Sequence, residues 1–157
     1  MKRTVLFLCT GNSCRSQMAE ALLRKLGGDR FVAISAGSKP AGYVHELAIE
    51  AMRRINVPLE NATSKSWDDF ADTPVDVVIT LCDEAAGETC PVWLGAPCCA
   101  HWSLPDPAFY LGNDEERIEF AVRVATRLRL KIEGLVGINF DDERDVVLER
   151  LQQLGDI

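Results

Sequence analysis

Continuous apolar runs divide the chain and predict four short β-strands. The runs cover residues 4–9, 31–35, 75–81 and 99–102. Their apolar residues follow one another without alternation, which is typical of strands that are buried on both faces of a parallel sheet. We therefore expect a parallel sheet in which the first strand, residues 4–9, occupies a central position.

Between these strands, apolar residues recur at intervals of three and four, which is the spacing of amphipathic helices. The first predicted helix follows the loop that begins at Cys9, and this helix ends at Gly27-Gly28. The second predicted helix covers about 45–55. Residues 56–74 show only a weak pattern. We interpret that segment as a loop that contains one short helix.

The last third of the chain carries the longest helical pattern. Asn113 and Glu116 form a predicted capping box, and apolar residues at helical spacing follow over 118–132. A last helix is predicted within a carboxyl-terminal extension at about 141–155. Strands that alternate with helices predict an α/β fold, here a three-layer sandwich with a central four-stranded parallel sheet flanked by helices. The length suits a single domain over 1–157.

Charge and hydropathy exclude several classes of partner. The net charge is −7 and the pI is near 4.8, whereas a nucleic-acid or acidic-membrane partner requires a concentrated basic face. No apolar run approaches the roughly 18 residues of a membrane span. The first apolar run leads directly into Cys9 instead of a cleavage site, so we expect a cytoplasmic protein. Six cysteines in such a chain indicate catalysis, redox chemistry or metal binding rather than structural disulfides.

The loop between the first strand and the first helix holds a cysteine and an arginine separated by five residues. Backbone N–H groups of such a loop can converge on one anion, toward which the helix also directs its positive end. The same groups lower the pKa of a cysteine thiol, so we predict that Cys9 is a nucleophile beneath a tetrahedral oxyanion. A buried, unreactive Cys9 is the alternative, but it leaves the spacing of Gly11, Arg15 and Ser16 unexplained. The predicted oxyanion-binding residues are Thr10, Gly11, Asn12, Ser13, Cys14 and Arg15.

Individual residues of this loop have predicted roles. Arg15 presents a planar fork of donors that suits two oxygens of one oxyanion. Ser16 is placed both to cap the helix and to donate a hydrogen bond to the Cys9 thiolate, and a capping role alone is the alternative. Asn12 is expected to adopt a left-handed backbone conformation, and the side chain of Cys14 is expected to point away from the anion.

Cys82 and Cys90 form a second group of interest. Cys82 ends the third predicted strand, at the same sheet edge as Cys9, so the two thiols can approach each other. On a straight helix, Cys82 and Cys90 would lie roughly 12 Å apart, whereas a disulfide needs Cα atoms within about 7 Å. Joining them requires a bend, which Gly87 and Pro91 permit. A zinc site is the alternative for the sulfurs of this region, although no Cys-x-x-Cys spacing is present.

The stretch from Cys9 to Ser16 resembles the active-site loop of the low-molecular-weight tyrosine phosphatase superfamily, in which a cysteine, five residues and an arginine precede a serine or threonine. Within that superfamily the chain is most similar to the arsenate reductases that recycle through a cysteine relay and thioredoxin. The resemblance implies their fold and the reduction of arsenate to arsenite, with phosphate or sulfate as competing oxyanions and without a bound cofactor or metal. It extends from about residue 4 to the long helix and includes 35–37, 80–82 and 101–102.

The resemblance also implies roles for individual residues. Cys9 attacks arsenate, Cys82 attacks that adduct and releases arsenite, and Cys90 resolves the disulfide, which thioredoxin then reduces. Asp106, in an Asp-Pro pair after the fourth strand, corresponds to the general acid that protonates the leaving oxygen. Lys65 stands where some members carry an acid associated with a monovalent cation, which implies that its ammonium replaces the cation.

Two other functions are compatible with these residues. One is a protein tyrosine phosphatase of the same fold that hydrolyses phosphate monoesters. Against it, Gln17 stands where such phosphatases usually have proline, and Ala108 where they usually have an aromatic residue. The other is an oxyanion- or arsenite-sensing protein with cysteines as soft ligands, although the sequence contains no DNA-reading element. Its ligands would be Cys82, Cys90, Cys98 and Cys99.

Overall fold

A computed structural model of the protein describes residues 2–82 and 93–157. Its strands are β1 (Arg3–Leu8), β2 (Phe31–Ala36), β3 (Val77–Thr80) and β4 (Cys98–His101). They form one parallel sheet in the order β2-β1-β3-β4. The predicted four-stranded parallel sheet is confirmed, and β1 lies inside it, between β2 and β3.

The apolar runs and the strands differ at their ends, because burial continues beyond the hydrogen-bonded ladder. Val75 and Leu81, for example, flank β3 and are almost completely buried without belonging to it. β4 begins one residue earlier than predicted, because Cys98 already pairs with Val77. The apolar pattern therefore marks buried segments, and strand pairing decides where each strand begins and ends.

The α-helices of the described part are α1 (Arg15–Gly27), α2 (Glu46–Arg54), α3 (Asp114–Val136) and α4 (Arg144–Leu154). The capping box of α3 is confirmed, because Asn113 and Glu116 each accept a hydrogen bond from the other's backbone N–H. The short helix within 56–74 is a 3-10 helix, Trp67–Phe70. Within the described ranges, no helix is both long and apolar enough to cross a membrane.

The two faces of the sheet are covered by different elements. Val5 and Phe7 of β1 belong to a large apolar core to which all four of these α-helices contribute. Leu6 and Leu8, which alternate with them, pack in a smaller core with Trp93 and the 3-10 helix. The sheet thus lies between two layers, in agreement with the predicted three-layer α/β sandwich.

β1 ends where the order of the sheet reverses. The chain passes from β1 to β2 on one side and later returns to add β3 on the other side of β1. Open α/β sheets bind ligands beyond the carboxyl end of the strands at such a reversal. The loop 9–14, between β1 and α1, occupies this position.

Candidate active site

The loop 9–14 turns several of its carbonyl oxygens outward, toward segment 39–45. Three of these oxygens accept backbone hydrogen bonds of 2.8 to 3.0 Å from that segment, and they belong to Thr10, Gly11 and Ser13. In a planar trans peptide the N–H points opposite to the C=O. The N–H groups of the following residues therefore face away from segment 39–45. An array of such N–H groups before a helix is the framework of an anion site.

Gly37 allows the loop to pass directly against the end of β2. A Cβ at this position would lie 2.4 Å from the carbonyl oxygen of Thr10 and 2.8 Å from that of Cys9. Both neighbours are backbone atoms, so a larger residue would displace the loop itself. The contact of Gly37 with the loop becomes visible only in the fold.

Asn12 organises the inside of the loop. Its φ of 46° is the predicted left-handed conformation, and its side chain is completely buried. The side-chain amide donates a 2.8 Å hydrogen bond to Oγ of Ser16, and Oδ1 accepts a 2.8 Å bond from the backbone N–H of Lys65. Gln17 adds bonds from Nε2 to both oxygens of Asn12. Sequence reasoning missed this role of Gln17, because nothing in the local pattern shows that its side chain is buried.

The predicted helix-capping role of Ser16 is wrong. α1 begins at Arg15, so the capping position belongs to Cys14, whose side chain makes no capping hydrogen bond. Ser16 lies inside the helix, completely buried, and its hydroxyl accepts the hydrogen bond from Asn12. A hydroxyl that accepts one hydrogen bond can still donate its own proton. Donation from Ser16 to Cys9 therefore stays a prediction.

Arg15 joins the oxyanion loop to the segment that follows β4. It is only 8% exposed, and its Nη1 donates a 2.7 Å hydrogen bond to the carbonyl oxygen of Leu104. Its Nη2 lies 3.2 Å from the carboxylate of Asp106. Its Nε is also buried and has no hydrogen-bond partner among the described residues. A buried donor without a partner is energetically costly, so this N–H is available to an oxyanion.

Asp106 lies at the edge of the site, with 23% of its side chain exposed. One carboxylate oxygen faces Arg15, and the other accepts a 2.9 Å hydrogen bond from the backbone N–H of Ala108, at the start of a 3-10 helix. The Asp-Pro pair thus begins a turn and also brings a partly exposed carboxylate to the anion-binding arginine. That geometry suits a residue that exchanges protons with a bound substrate and with solvent.

Cys9 and Cys82 contact each other and form a small buried cluster of their own, being 6% and 5% exposed. Cys9 follows β1 and Cys82 lies just beyond β3, the neighbouring strand, so the predicted approach of the two thiols is present. Sγ of Cys82 also lies 3.6 Å from Oγ1 of Thr10. The sulfur of Cys82 is therefore close to any group that becomes bonded to Cys9.

This pairing changes the expected acidity of Cys9. The hydrogen bond with Cys82 and burial raise the pKa of Cys9 above its ordinary value, and they outweigh Arg15, which lowers it. The prediction that the loop lowers the pKa of Cys9 is therefore wrong for this arrangement. Burial also raises the pKa of Cys14 to about 12, and the Cys14 side chain packs in the large core, away from the loop centre as predicted. Both shifts favour the protonated thiol.

A second buried charge cluster lies behind the loop. Glu20 of α1, only 7% exposed, accepts a 3.0 Å hydrogen bond from the hydroxyl of Ser35 and lies 3.7 Å from Nζ of Lys65. The same Nζ donates a 2.6 Å bond to the carbonyl oxygen of Thr63. The Lys65 ammonium thus lies among oxygen atoms of the kind that bind cations. Sequence reasoning missed Glu20, because the charged residues of an amphipathic helix are expected on its exposed face.

The other cysteines lie away from this pair or outside the described residues. Cys90, with the rest of segment 83–92, is outside the described residues. Cys98 and Cys99 begin β4, where Cys98 pairs with Val77. Cys82 comes five residues after Val77, which corresponds to roughly 16 Å along the sheet. In the described part, no group of three or more histidine, cysteine or acidic residues is arranged to hold a metal.

The chain is similar to arsenate reductases over most of its length. It is 39% identical over 131 residues to the arsenate reductase of Halalkalibacterium halodurans, and the aligned region covers 83% of this chain and 93% of that protein. A solved arsenate reductase in the phosphate binding state superposes with a TM-score of 0.71 at 31% identity, over 85% of this chain and 96% of the other. A thioredoxin-dependent arsenate reductase from Corynebacterium glutamicum superposes with a TM-score of 0.61 at 32% identity, over 82% of this chain and 59% of the other.

A family model also matches the chain. The model is that of the low molecular weight phosphotyrosine protein phosphatases, and it matches residues 4–145. That range contains the loop 9–14, Cys82 and Asp106, and it ends at the second residue of α4. The chain therefore belongs to the low molecular weight phosphotyrosine protein phosphatase family.

Proposed function

We propose that the protein is an arsenate reductase that converts arsenate to arsenite through a relay of Cys9, Cys82 and Cys90. The observation that carries this proposal is the contact between the buried thiols of Cys9 and Cys82 beside a loop suited to an oxyanion. Hydrolysis of a phosphate ester needs only one of these thiols. Reduction of arsenic needs two electrons, which two thiols supply when they form a disulfide. Relatives that are arsenate reductases support the same substrate.

The first step is the attack of Cys9 on bound arsenate. Backbone N–H groups of the loop and Nε of Arg15 bind the arsenate oxygens, so that arsenic faces the Cys9 sulfur. A sulfur–arsenic bond forms and an arsenic–oxygen bond breaks. The leaving hydroxyl takes a proton from Asp106 and departs as water, and the thiol proton of Cys9 passes to the Asp106 carboxylate in return.

The second step is the attack of Cys82 on the sulfur of Cys9. A sulfur–sulfur bond forms as the sulfur–arsenic bond breaks, and the electron pair of the broken bond remains on arsenic. Arsenic is reduced from the pentavalent to the trivalent state, the two cysteines are oxidised, and the proton of Cys82 leaves with arsenite. The 3.6 Å contact with Oγ1 of Thr10 supports this step, because a hydroxyl donor stabilises the attacking thiolate.

The third step regenerates Cys9. Cys90 attacks the sulfur of Cys82, Cys9 leaves with the proton that Cys90 loses, and a Cys82–Cys90 disulfide remains. A dithiol protein of the thioredoxin type reduces that disulfide by exchange and becomes oxidised itself. The thioredoxin-dependent arsenate reductase among the structural relatives supports this reductant. We assign the reaction to the cytoplasm, because thiols are kept reduced in that compartment.

The two alternatives have less support. A phosphatase of the same fold would use Cys9, Arg15 and Asp106 but would have no use for a second thiol against Cys9. An arsenite-sensing protein would need its cysteines close together, whereas Cys98 and Cys82 are roughly 16 Å apart along the sheet. Arsenate reduction is the function that gives the paired thiols a role.

Disulfide mapping after reaction with arsenate tests the relay. Wild-type protein without a reductant should accumulate the Cys82–Cys90 disulfide, and Cys90→Ser should complete one turnover and retain the Cys9–Cys82 disulfide. Cys82→Ser should release no arsenite, and Cys9→Ser should neither reduce arsenate nor hydrolyse phosphate esters. Peptide mass spectrometry under non-reducing conditions, together with arsenite quantification, distinguishes these products.

Cys99→Ser is the matched control, because Cys99 is exposed and lies at the far end of β4. It should match the wild type in arsenate-dependent NADPH oxidation with thioredoxin and its reductase. Full multi-turnover reduction by Cys90→Ser would refute the three-cysteine relay and indicate a small-thiol reductant such as glutathione. A wild-type protein that hydrolyses aryl phosphates and reduces no arsenate would establish the phosphatase instead.

A further inference from the structure

Most of α4 lies beyond residues 4–145, the range that the family model matches. The apolar side of this helix is buried in the large core. At its start, Arg144 donates hydrogen bonds of 2.8 and 2.9 Å to the carbonyl oxygens of Ala96 and Pro97, just before β4. α4 is therefore attached to the beginning of the edge strand that leads to Asp106.

The other end of α4 is attached to the end of β4. Trp102 is completely buried directly after β4, and its Nε1 donates a 2.8 Å hydrogen bond to the carbonyl oxygen of Leu151. Gly155 packs so closely that a Cβ there would lie 2.9 Å from the carbonyl oxygen of His101. These contacts involve His101 and Trp102, where β4 ends and the loop that carries Asp106 begins.

A buried lysine fastens the last turn of α4. Lys131 of α3 is completely buried, and its Nζ donates to three carbonyl oxygens at 3.0, 2.9 and 2.8 Å, those of Leu154, Gly155 and Ile157. Burial of an ammonium is costly unless its hydrogen bonds are satisfied, and here all three of its donors are used. A positive charge also interacts favourably with the carboxyl end of a helix. Lys131 thereby ties α4 to α3.

A short path leads from Trp102 to the site. Trp102 and Leu104 donate backbone hydrogen bonds of 2.8 and 3.3 Å to the carbonyl oxygens of Thr80, the last residue of β3, and of Leu81, the next residue. The carbonyl oxygen of Leu104 in turn accepts the 2.7 Å bond from Arg15. Three residues separate Trp102 from Asp106, so a displacement of Trp102 would shift the acid relative to the oxyanion loop.

We propose that α4 positions Asp106 for proton donation, with Trp102 and Lys131 as positioning residues. This inference rests on the proposed function, in which Asp106 is the general acid. Trp102 links α4 to the Asp106 loop, and Lys131 holds the helix to which Trp102 is bonded. Loss of either contact should slow proton transfer and leave oxyanion binding by the loop 9–14 little changed.

Two substitutions test the proposal. Lys131→Met keeps a long side chain but donates no hydrogen bond, and Trp102→Phe removes the N–H while it retains an aromatic ring. Arg30→Met is the matched control, because Arg30 also donates to a carbonyl oxygen near a helix end, that of Val136, at the opposite edge of the sheet. Each substitution is made in the wild type and in Asp106→Asn, and each variant is assayed at a temperature at which circular dichroism shows it to be folded.

Two measurements separate positioning from a general loss of stability. Hydrogen exchange followed by mass spectrometry should be faster over 102–107 in both variants, and unchanged there in Arg30→Met. The kcat for arsenate should fall about tenfold with KM changed by less than about twofold, a smaller loss than the roughly 10²- to 10⁴-fold effect of losing the general acid itself. In Asp106→Asn, the same substitutions should cause no further loss of kcat.

Equal losses of kcat in the two backgrounds would mean that α4 acts through stability, and would overturn the proposal. Unchanged exchange over 102–107 in both variants would overturn it as well. If the wild-type protein reduced no arsenate, the proposed function would fail instead. The exchange comparison with Arg30→Met would then still decide whether α4 holds the loop of Asp106.

Discussion

The Asp106 carboxylate lies 3.2 Å from the guanidinium of Arg15, although the strands that precede their loops, β1 and β4, are not adjacent in the sheet. Arg15 is the first residue of α1, directly after the loop 9–14, and it also contacts the loop that carries Asp106. An oxyanion bound to Arg15 would lie beside Asp106, with one of its oxygens within reach of the carboxyl group. This relationship supports the proposal that Asp106 is the general acid.

Asp106→Asn should slow departure of the leaving group by roughly 10²- to 10⁴-fold, because an amide cannot replace a carboxylic acid as proton donor. A series of aryl phosphates with leaving groups of different pKa measures the effect. A leaving group of low pKa needs little protonation, so the loss should be greatest for the poorest leaving groups. An equal loss across the series would show that Asp106 is not the acid.

Arg15→Lys should weaken phosphate binding by about 10- to 150-fold, which corresponds to the roughly 1.5–3 kcal/mol of a hydrogen bond to a charged group. A lysine keeps the charge but has no counterpart of the Arg15 Nε, the buried donor that has no partner among the described residues. Isothermal titration calorimetry with phosphate provides the affinity. Arg117→Lys is the control, because Arg117 donates to the backbone of Ala108 outside the loop. Near-normal affinity in Arg15→Lys would count against the oxyanion site.

Cys82→Ala should lower the pKa of Cys9, because the hydrogen bond with Cys82 is the largest cause of its raised value. A lower pKa means more thiolate at neutral pH, so the pH midpoint of Cys9 alkylation by iodoacetamide should move to lower pH. The midpoint is the informative quantity, since removal of the Cys82 side chain also changes access to Cys9. Cys99→Ala should leave the midpoint where it is in the wild type. An unchanged midpoint in Cys82→Ala would mean that the two thiols do not interact in solution.

Lys65→Met should lower the free energy of unfolding by about 1 kcal/mol, because Glu20 loses a partly buried cationic partner. Urea denaturation measures the change. Arg24→Met removes the other cation that pairs with Glu20, but the Arg24 side chain is 60% exposed, so its effect should stay below about 0.5 kcal/mol.

The same pair of variants tests whether the Lys65 ammonium stands in for a bound cation. Potassium chloride should restore part of the stability of Lys65→Met, whereas tetramethylammonium chloride at equal ionic strength should not, because the larger ion cannot fit among these oxygen atoms. Neither salt should distinguish Arg24→Met from the wild type. Equal responses to both salts in Lys65→Met would indicate ordinary screening rather than a cation site.

The sheet and the place of the site were predictable because both follow from local patterns. Four apolar runs separated by helical spacing predict parallel strands, and the loop after β1 lies at the reversal of strand order in such a sheet. The left-handed conformation of Asn12 was also predictable, since asparagine tolerates it in a tight loop. These features depend on residues that are close together in the sequence.

The features that sequence reasoning missed or misjudged depend on segments brought together by folding. Ser16 bonds to Asn12 instead of capping α1, because the helix starts two residues earlier than a cap at Ser16 requires. The pKa of Cys9 is raised rather than lowered, because Cys82 arrives from a neighbouring strand. Glu20 is buried, and it contacts Ser35 and Lys65, which come from distant parts of the chain.

The contact between Cys9 and Cys82 also has a consequence for how the protein withstands oxidants. Peroxide reacts with thiolates that are exposed, and it spares thiols that are protonated and buried. With its pKa raised and only 6% of its surface exposed, the idle Cys9 meets both conditions for protection. We therefore expect peroxide to oxidise Cys9 slowly until an oxyanion enters the loop and separates its thiol from that of Cys82.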